Sequence, residues 1–523
     1  MTAQRGFVGR LTDSVEALAY SSPIYSLSLK GKAPLTLSVE PNDPWRGESD
    51  YGREITAGIW RFGPELAESP TPDWLNTERS ATWRDRLHGF GWLRDLRAAG
   101  GDNARRVARR HMDDWIARFD RWDSEAWAPH RIAVRLPNWL MLHRFTCESA
   151  DEDFRSRVFQ SMTAQGKHLA RLGVSKLDAE DRITAAKSLI FLGFCLPGFE
   201  QKLKPALESL RVELERQILP DGGHVSRSPA VLLRVLTDLV ELRGLFGQSR
   251  HPLPAWIQHS IDRMTPCLRF FLHGDGQLSH FHGAACGNRM GIDRVMDLAD
   301  MRGRPLKTLT QSRFERVLAN RSLLLVDSGA TGRHEAPFSF EFSTGKHRLI
   351  SNCGGLTGFG DLGDALERPA GHTGLHLADG DCGYDADAGA HRQSVDGATL
   401  IEMSTGAFGS QWTRRLYLTS DGADLRGEEM VTPCSRSRDL VLRLHLHPDV
   451  SASLMQGGNG AWLKVTKRIA WGFRIGAGEL TLEPSIYVSS CGEMRGCQQL
   501  VIRKTLPADA EARLTWALRR EHA

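Results

Sequence analysis

RRLYLTSDGADLRGEEMVT, residues 414–432, carries two strand-like runs around Ser420-Asp421-Gly422 and reads as a β-hairpin. The same period of two continues on both sides of it. Upstream stand SLLLVDSG (322–329), FSFEFSTG (338–345), HRLISNCG (347–354) and ATLIEMSTG (398–406), short runs that each end at glycine. Downstream stand DLVLRLHLHP (439–448), AWLKVTKRIAWGFRIG (461–476), LTLEPSIYVSS (480–490) and QQLVIRKTL (498–506). Many short strands at close spacing, with no helices between them, predict an antiparallel β-sandwich.

Toward the N-terminus the period changes. From about 80 to 300 it is helical. In SPAVLLRVLTDLVELRGLF (228–246), Leu232, Val235, Leu236, Leu239 and Leu242 recur at three- and four-residue spacing. Ser228 can cap this helix, with Pro229 in its first turn. HRIAVRLPNWLMLHRF (130–145) is a second helix, which Pro137 is expected to kink or divide. RITAAKSLIFLGFCLPG (182–198) is a third, ended by Pro197-Gly198. Short breaks between such helices are the habit of helical hairpins stacked into a bundle or toroid. Residues 1 to about 75 read as irregular, with turn chemistry at Pro41-Asn42-Asp43-Pro44-Trp45 and Ser69-Pro70-Thr71-Pro72. The expected organisation is a wrapping segment at 1–78, a helical domain at 79–303 and a sandwich at 304–523. RGRPLKTLTQSRFE (302–315) is the connector.

The chain has 523 residues, 41% apolar and 25% charged, which is globular and long enough for two or three domains. Lys and Arg total 67 against 63 Asp and Glu, a net charge of +4. That balance argues against nucleic acid as a bulk partner but allows a local basic cleft for an anion. The nine cysteines are scattered, and Cys491 with Cys497 lacks a zinc-ribbon spacing. They read as small buried hydrophobes of a reducing compartment. Asp13, Ser14 and Glu16 interrupt any N-terminal apolar run, and no stretch has the length of a membrane span. A cytoplasmic location is the expectation from this alone.

Three constellations can carry chemistry. Leu219-Pro220-Asp221-Gly222-Gly223-His224-Val225-Ser226-Arg227 is a glycine turn that opens a helix. It sets His224 and Arg227 where backbone N–H groups favour anions, or else they serve as cap and surface residues. Arg333-His334-Glu335 followed by FSFEF, with Asn352 after HRLIS, brings His334 and Asn352 toward one sheet end if the strands pair, and is otherwise an ordinary hairpin. Gly371-His372-Thr373-Gly374 sets His372 just before an extended run. His445 and His447 alternate with leucines, so they share one face, either a solvent or interface face or a metal pair.

Together these segments resemble the heparinase II/III-like polysaccharide lyases. In the helical half the resemblance rests on HGFGWLRDL, HRIAVRLPNWL, LPDGGHVSRSP and FFLHGDG. In the sandwich it rests on His334 with Phe338-Ser339-Phe340-Glu341, LISNCG, GHTGLHLAD and RLHLHPDV. It implies an N-terminal (α/α) toroid followed by a C-terminal antiparallel β-sandwich. It also implies a carbon–oxygen lyase that cleaves a 4-linked uronic acid in an acidic oligo- or polysaccharide by β-elimination. Such chemistry needs a group that neutralises the uronate carboxylate, a base for the C5 proton and an acid for the leaving O4. No cofactor is required. By resemblance Arg227 or His224 would neutralise the carboxylate, and His372, with His334, would serve as base or acid, in a cleft between toroid and sandwich. Arg135, Asn138 and Trp139 would line the sugar groove. Some members hold a structural zinc, and the matching positions here are His334, Asn352 and His372, with a neutral Asn where a carboxylate would bind better.

The chain departs from the family pattern at two places. Ser228-Pro229-Ala230-Val231 holds no tyrosine where these lyases usually carry one, which leaves Tyr384 as the plausibly placed phenol. Asp178-Ala179-Glu180-Asp181-Arg182 stands where an Asn-His pair is expected. A non-catalytic carbohydrate-binding or envelope-assembly protein on a lyase scaffold is therefore the second reading. A glycoside hydrolase using Asp221 and Asp275 is the third. The resemblance also implies a periplasmic alternative for location, and a homodimer is compatible with it.

Overall fold

A computed structural model describes residues 16–283, 289–300, 305–329, 332, 334, 336–356, 360–378, 384–385, 388–433, 435–489 and 492–521. Its contacts divide the chain into two compact units. The first comprises 1–216 and 237–259, and the second comprises 217–236 and 260–523. The sequence places the change of secondary structure near 303/304. The strand-bearing unit extends further back and includes the Pro220–Arg227 turn.

The first unit is helical. Its elements include Ala81–Gly89, Gly101–Arg118, Pro129–Met141, Glu152–Leu172 and Ala179–Cys195. Two expectations change here. Residues 1–75 are not irregular throughout, because Pro23–Leu29 and Ser49–Thr56 are helices. The Ser22 hydroxyl accepts from the Tyr25 N–H at 3.2 Å and Pro23 opens the first turn, so local capping fixes the start. Pro137 does not divide its helix, which runs unbroken from Pro129 to Met141. Leu136, Trp139 and Leu140 beside it are buried, and that packing outweighs the bond the proline removes. A buried ion triad ties the unit together. Lys187 Nζ lies 2.5 Å from Asp238 and 2.7 Å from Glu241.

In chain order the strands are β1 (Ile59–Phe62), β2 (Glu65–Glu68), β3 (Thr308–Leu309), β4 (Phe314–Ala319), β5 (Ser322–Asp327), β6 (Phe340–Thr344), β7 (His347–Ile350), β8 (Leu375–Leu377), β9 (Ala388–Val395), β10 (Ala398–Ala407), β11 (Ser410–Leu418), β12 (Asp424–Val431), β13 (Arg438–His445), β14 (Ser451–Leu454), β15 (Gly460–Thr466), β16 (Ile469–Ile475), β17 (Glu479–Val488), β18 (Met494–Leu506) and β19 (Ala512–Glu521). β1 and β2 form a small hairpin in the first unit. The second unit holds an eight-stranded sheet in the order β14-β15-β16-β19-β12-β11-β10-β9. It also holds a four-stranded sheet, β17-β18-β13-β8, and a five-stranded sheet, β3-β4-β5-β6-β7.

The hairpin read from residues 414–432 is β11–β12, with Leu418 opposite Leu425. Gly422 at its turn has φ +69°, and a Cβ there would stand 2.3 Å from the Ala319 carbonyl oxygen, so glycine is required on both counts. The inward positions of all three large sheets fill one core. Phe340 of β6 stacks on Trp516 of β19, and Phe342 meets Trp471 of β16 edge-on. Leu442 and Leu500 join the same core from β13 and β18.

Candidate functional site

The glycine turn is fixed by its own second unit. Gly222 has φ +86°, and a Cβ on it would lie 2.0 Å from the Arg263 carbonyl oxygen. The Asp221 carboxylate accepts from the Gln311 N–H at 2.8 Å, the Ser312 N–H at 2.7 Å and the Ser312 hydroxyl at 2.8 Å. His224 Nδ1 accepts from the Ser226 N–H at 3.0 Å, so its proton sits on Nε2 and is donated to Gln217 Oε1 at 2.9 Å. Burial, with the Arg234 charge beside it, pushes the His224 imidazole down to about 4. His224 is thus a neutral ring spent on holding the turn.

Arg227 is committed as well. Its backbone is left-handed at φ +61°. Nε donates to the Ser312 carbonyl at 3.0 Å, and the guanidinium lies 4.9 Å over the Phe314 ring and pairs with Asp327. Asp327 is buried and also accepts from His282 Nε2 at 2.7 Å and the Gly329 N–H at 2.9 Å. Burial works to raise the Asp327 carboxyl. The Arg227 charge and the His282 hydrogen bond outweigh it and keep the group below the ordinary range. The Arg227 charge is therefore already neutralised inside the protein.

From Asp327 the network continues to His334 and His372, two more of the histidines singled out by sequence. His282 Nδ1 accepts from the His334 backbone N–H at 3.2 Å. His334 Nδ1 and His372 Nε2 are 2.9 Å apart, one donating to the other. Burial, then the charges of His282 and His445, push His372 down to about 3, so it is uncharged. Asn352 Oδ1 accepts from the Thr373 N–H at 2.9 Å. Three buried polar atoms here, His372 Nδ1, Asn352 Nδ2 and Thr373 Oγ1, have no hydrogen-bond partner among the described residues. All three belong to side chains at most 1% exposed, inside the packed interior of the second unit.

The structural zinc implied by resemblance does not fit these atoms. The two imidazoles bond each other, whereas nitrogens sharing a tetrahedral zinc stand about 3.4 Å apart. The Asn352 oxygen is used by Thr373. No cluster of three His, Cys, Asp or Glu suited to a metal occurs among the described residues.

Sequence reasoning missed the second half of the network. Glu341 accepts from His273 Nε2 at 2.9 Å, the His280 N–H at 2.9 Å and the Asn352 N–H at 3.0 Å, with Arg348 3.7 Å away. Burial opposes its charge, but the His273 bond and the His273, His280 and Arg348 charges hold it at about 2. Tyr487 lies against His280, ring centres 5.0 Å apart, and burial pushes its phenol up to about 12. The available signal was His280-Phe281-His282, three residues beyond the HGDG turn.

Other expected site residues stand elsewhere. Arg135, Asn138 and Trp139 are interior groups of the first unit, not groove-lining ones. Arg135 donates to Gln165 Oε1 and to the His88 and Ala126 carbonyls and lies 4.2 Å over Trp115. Asn138 donates to the Gly89 carbonyl at 2.7 Å. Trp139 is buried edge-on against Phe90 and Trp115. The Arg135 and Asn138 donors are thus satisfied inside the unit, whereas the buried Trp139 Nε1 has no hydrogen-bond partner among the described residues. The Tyr384 hydroxyl donates to the Leu375 carbonyl, and its ring packs on Phe408 and Trp412. Asp275 is held by Arg348 and Asp221 by the 311–312 loop, so each carboxylate of the hydrolase reading is tied to its own loop. His445 is buried against Ser485 and the Ala370 carbonyl, not on a solvent face, and His447 lies beyond the end of β13 against Tyr487. Arg333, Glu335 and Cys491 lie outside the described residues.

Comparison with known proteins agrees with this architecture. The family "Heparinase II/III-like, C-terminal" matches residues 301–517. FtsZ-localized protein C of Caulobacter vibrioides (strain NA1000 / CB15N) is 28% identical over 561 residues, covering 96% of this chain and 94% of that protein. The crystal structure of heparinase III superposes with a TM-score of 0.76 at 12% identity, over 100% of this chain and 93% of that one. The heparan sulfate lyase of Pedobacter heparinus gives 0.59 at 13% identity, over 99% and 92%. No helix among the described residues is long and apolar enough to cross a membrane. The chain thus has the fold of heparinase III, an N-terminal (α/α) toroid followed by a C-terminal antiparallel sandwich, and its residues 301–517 match the heparinase II/III-like C-terminal family.

Proposed function

We propose that this chain binds an acidic glycan on a lyase scaffold without cleaving it, and serves the cell envelope at the division site. The observation that carries the reading is the fate of Arg227. The cation assigned to the uronate carboxylate instead pairs with buried Asp327. A lyase that spends its neutralising charge on its own carboxylate leaves the C5 proton of a uronate too weakly acidic to remove. His224 is similarly spent on Gln217 and Ser226, and no tyrosine follows the glycine turn. That the ligand is an acidic glycan rests on the likeness of the fold to heparinase III. The division role rests on the likeness, along nearly the full length of both chains, to a protein named as FtsZ-localized.

The test has two arms. Titration calorimetry against heparan, chondroitin, alginate and glucuronan-type chains should show binding, while near-ultraviolet absorbance stays flat. In the native cell, a fluorescent fusion should gather with FtsZ at the constriction. Diffuse fluorescence would remove the division role, and absence of binding to every chain would remove the glycan.

β-Elimination is the second reading, favoured by the neutral His372 beside His334 in a buried pair. A steady rise of unsaturated product that His372→Ala abolishes would establish this reading in place of the first.

A further inference from the structure

One end of the five-stranded sheet carries a basic hollow that the network described above leaves unused. The β4–β5 and β6–β7 turns lie side by side there, tied by the Gly345 N–H donating to the Arg321 carbonyl at 2.7 Å. The HGDG turn packs against them. A Cβ on Gly274 would stand 1.9 Å from the Gly345 carbonyl oxygen, so two backbones touch and glycine is required. These three turns and β4 enclose a cavity of about 460 Å³.

The cations of the hollow are Arg316 from β4 and Arg321 and Lys346 from the two sheet turns, with His347 at the start of β7. No Asp or Glu lines it. Asp275, next to Gly274, is already paired with Arg348, and His273 in the wall spends both ring nitrogens on Ser343 and Glu341. Arg316 is half-buried, and its Nε donates to the Phe270 carbonyl at 3.3 Å. No carboxylate pairs with Arg316, Arg321 or Lys346 among the described residues. Burial pushes the Arg316 guanidinium down, with no neighbouring charge to oppose it.

Positive side chains gathered in one hollow without a counter-charge favour a multiply charged anion. Guanidinium forks favour an oxyanion. The hollow also has an apolar wall. Leu318, 61% exposed, stands opposite Leu323 on β5 and offers surface to an organic group. A phosphate monoester carries about 1.5 to 2 negative charges at pH 7, whereas a sulfate ester or a carboxylate carries a single one. We propose that this hollow binds a small organic phosphate monoester. Its phosphoryl oxygens sit on Arg316, Arg321 and Lys346, and its organic group covers Leu318. The inference stands independently of glycan binding and of the division role.

Titration calorimetry of the full chain with phenyl phosphate tests it. The parent should bind this probe at a single site, and phenyl sulfate about tenfold or more less tightly. Arg321→Glu with Lys346→Glu should lower phenyl phosphate affinity about tenfold or more with the melting temperature unchanged, since both side chains are exposed. Lys464→Glu with Lys467→Glu makes the same change of net charge at exposed positions of the β15–β16 hairpin and should leave the affinity unaltered. Leu318→Ala should weaken phenyl phosphate and leave inorganic phosphate as before. Absence of phenyl phosphate binding at millimolar concentration overturns the proposal. So does phenyl sulfate bound as tightly, because a single charge then suffices. An equal loss in the Lys464/Lys467 variant overturns it too, because the attraction then belongs to the whole surface.

Discussion

Asp327→Asn isolates the electrostatic centre of the network. The substitution keeps the shape of the side chain and removes its charge. Side-chain exposure is 9% for Arg227 and 1% for Asp327, so water screens the pair little. Removing one partner of such a pair leaves a buried, uncompensated guanidinium, a loss of about 3–5 kcal/mol. For a unit of this size that corresponds to a fall of roughly 6–15 °C in melting temperature. The pH dependence carries a second signature. The folded-state carboxyl lies below its ordinary value, so its contribution is complete above the unfolded pKa and is lost as pH falls through the lower folded one. Asp327→Asn should therefore narrow the gap in melting temperature between pH 7 and strongly acidic solution. Scanning calorimetry at both pH values measures both effects. Adding Arg227→Met to Asp327→Asn should recover part of the loss, since the stranded charge is then gone. A single variant that melts with the parent, or a double variant whose losses simply add, refutes the claim that Arg227 is neutralised within the protein.

Three further outcomes follow from the same geometry. Trp139→Ala should cost about 3–5 kcal/mol by opening a cavity beside Phe90 and Trp115, and should leave the Kd for any bound glycan unchanged in titration calorimetry. His224, His280, His372 and His445 are held at about 4, 4, 3 and 4 by burial, below the unfolded value of about 6.5. Stability from these neutral rings is complete above about pH 6.5 and falls as pH drops toward their folded values, with nearly one proton per ring taken up on unfolding at pH 5; potentiometric unfolding counts them. Gly222→Ala adds a left-handed strain to a Cβ placed 2.0 Å from the Arg263 carbonyl, and urea denaturation should show a loss of at least about 2 kcal/mol.

Alternation and helical spacing are local properties, and the sequence by itself determined what rests on them. It determined helices followed by paired strands, the β11–β12 hairpin around Gly422, and the glycine turn ahead of Pro229. Short helices at Pro23–Leu29 and Ser49–Thr56 escaped it because each spans two turns, too few for a period to emerge. The partners of the polar side chains were decided only by the tertiary structure. Arg227 meets a carboxylate 100 positions away, His334 meets His372 across 38, and Glu341 gathers His273 from 68. A basic residue beside a helix start looks the same in sequence whether it faces a substrate or a buried aspartate. The difference is a distance of a few ångströms in space, and only the packing of β5 and β6 against the glycine turn and the HGDG segment sets it.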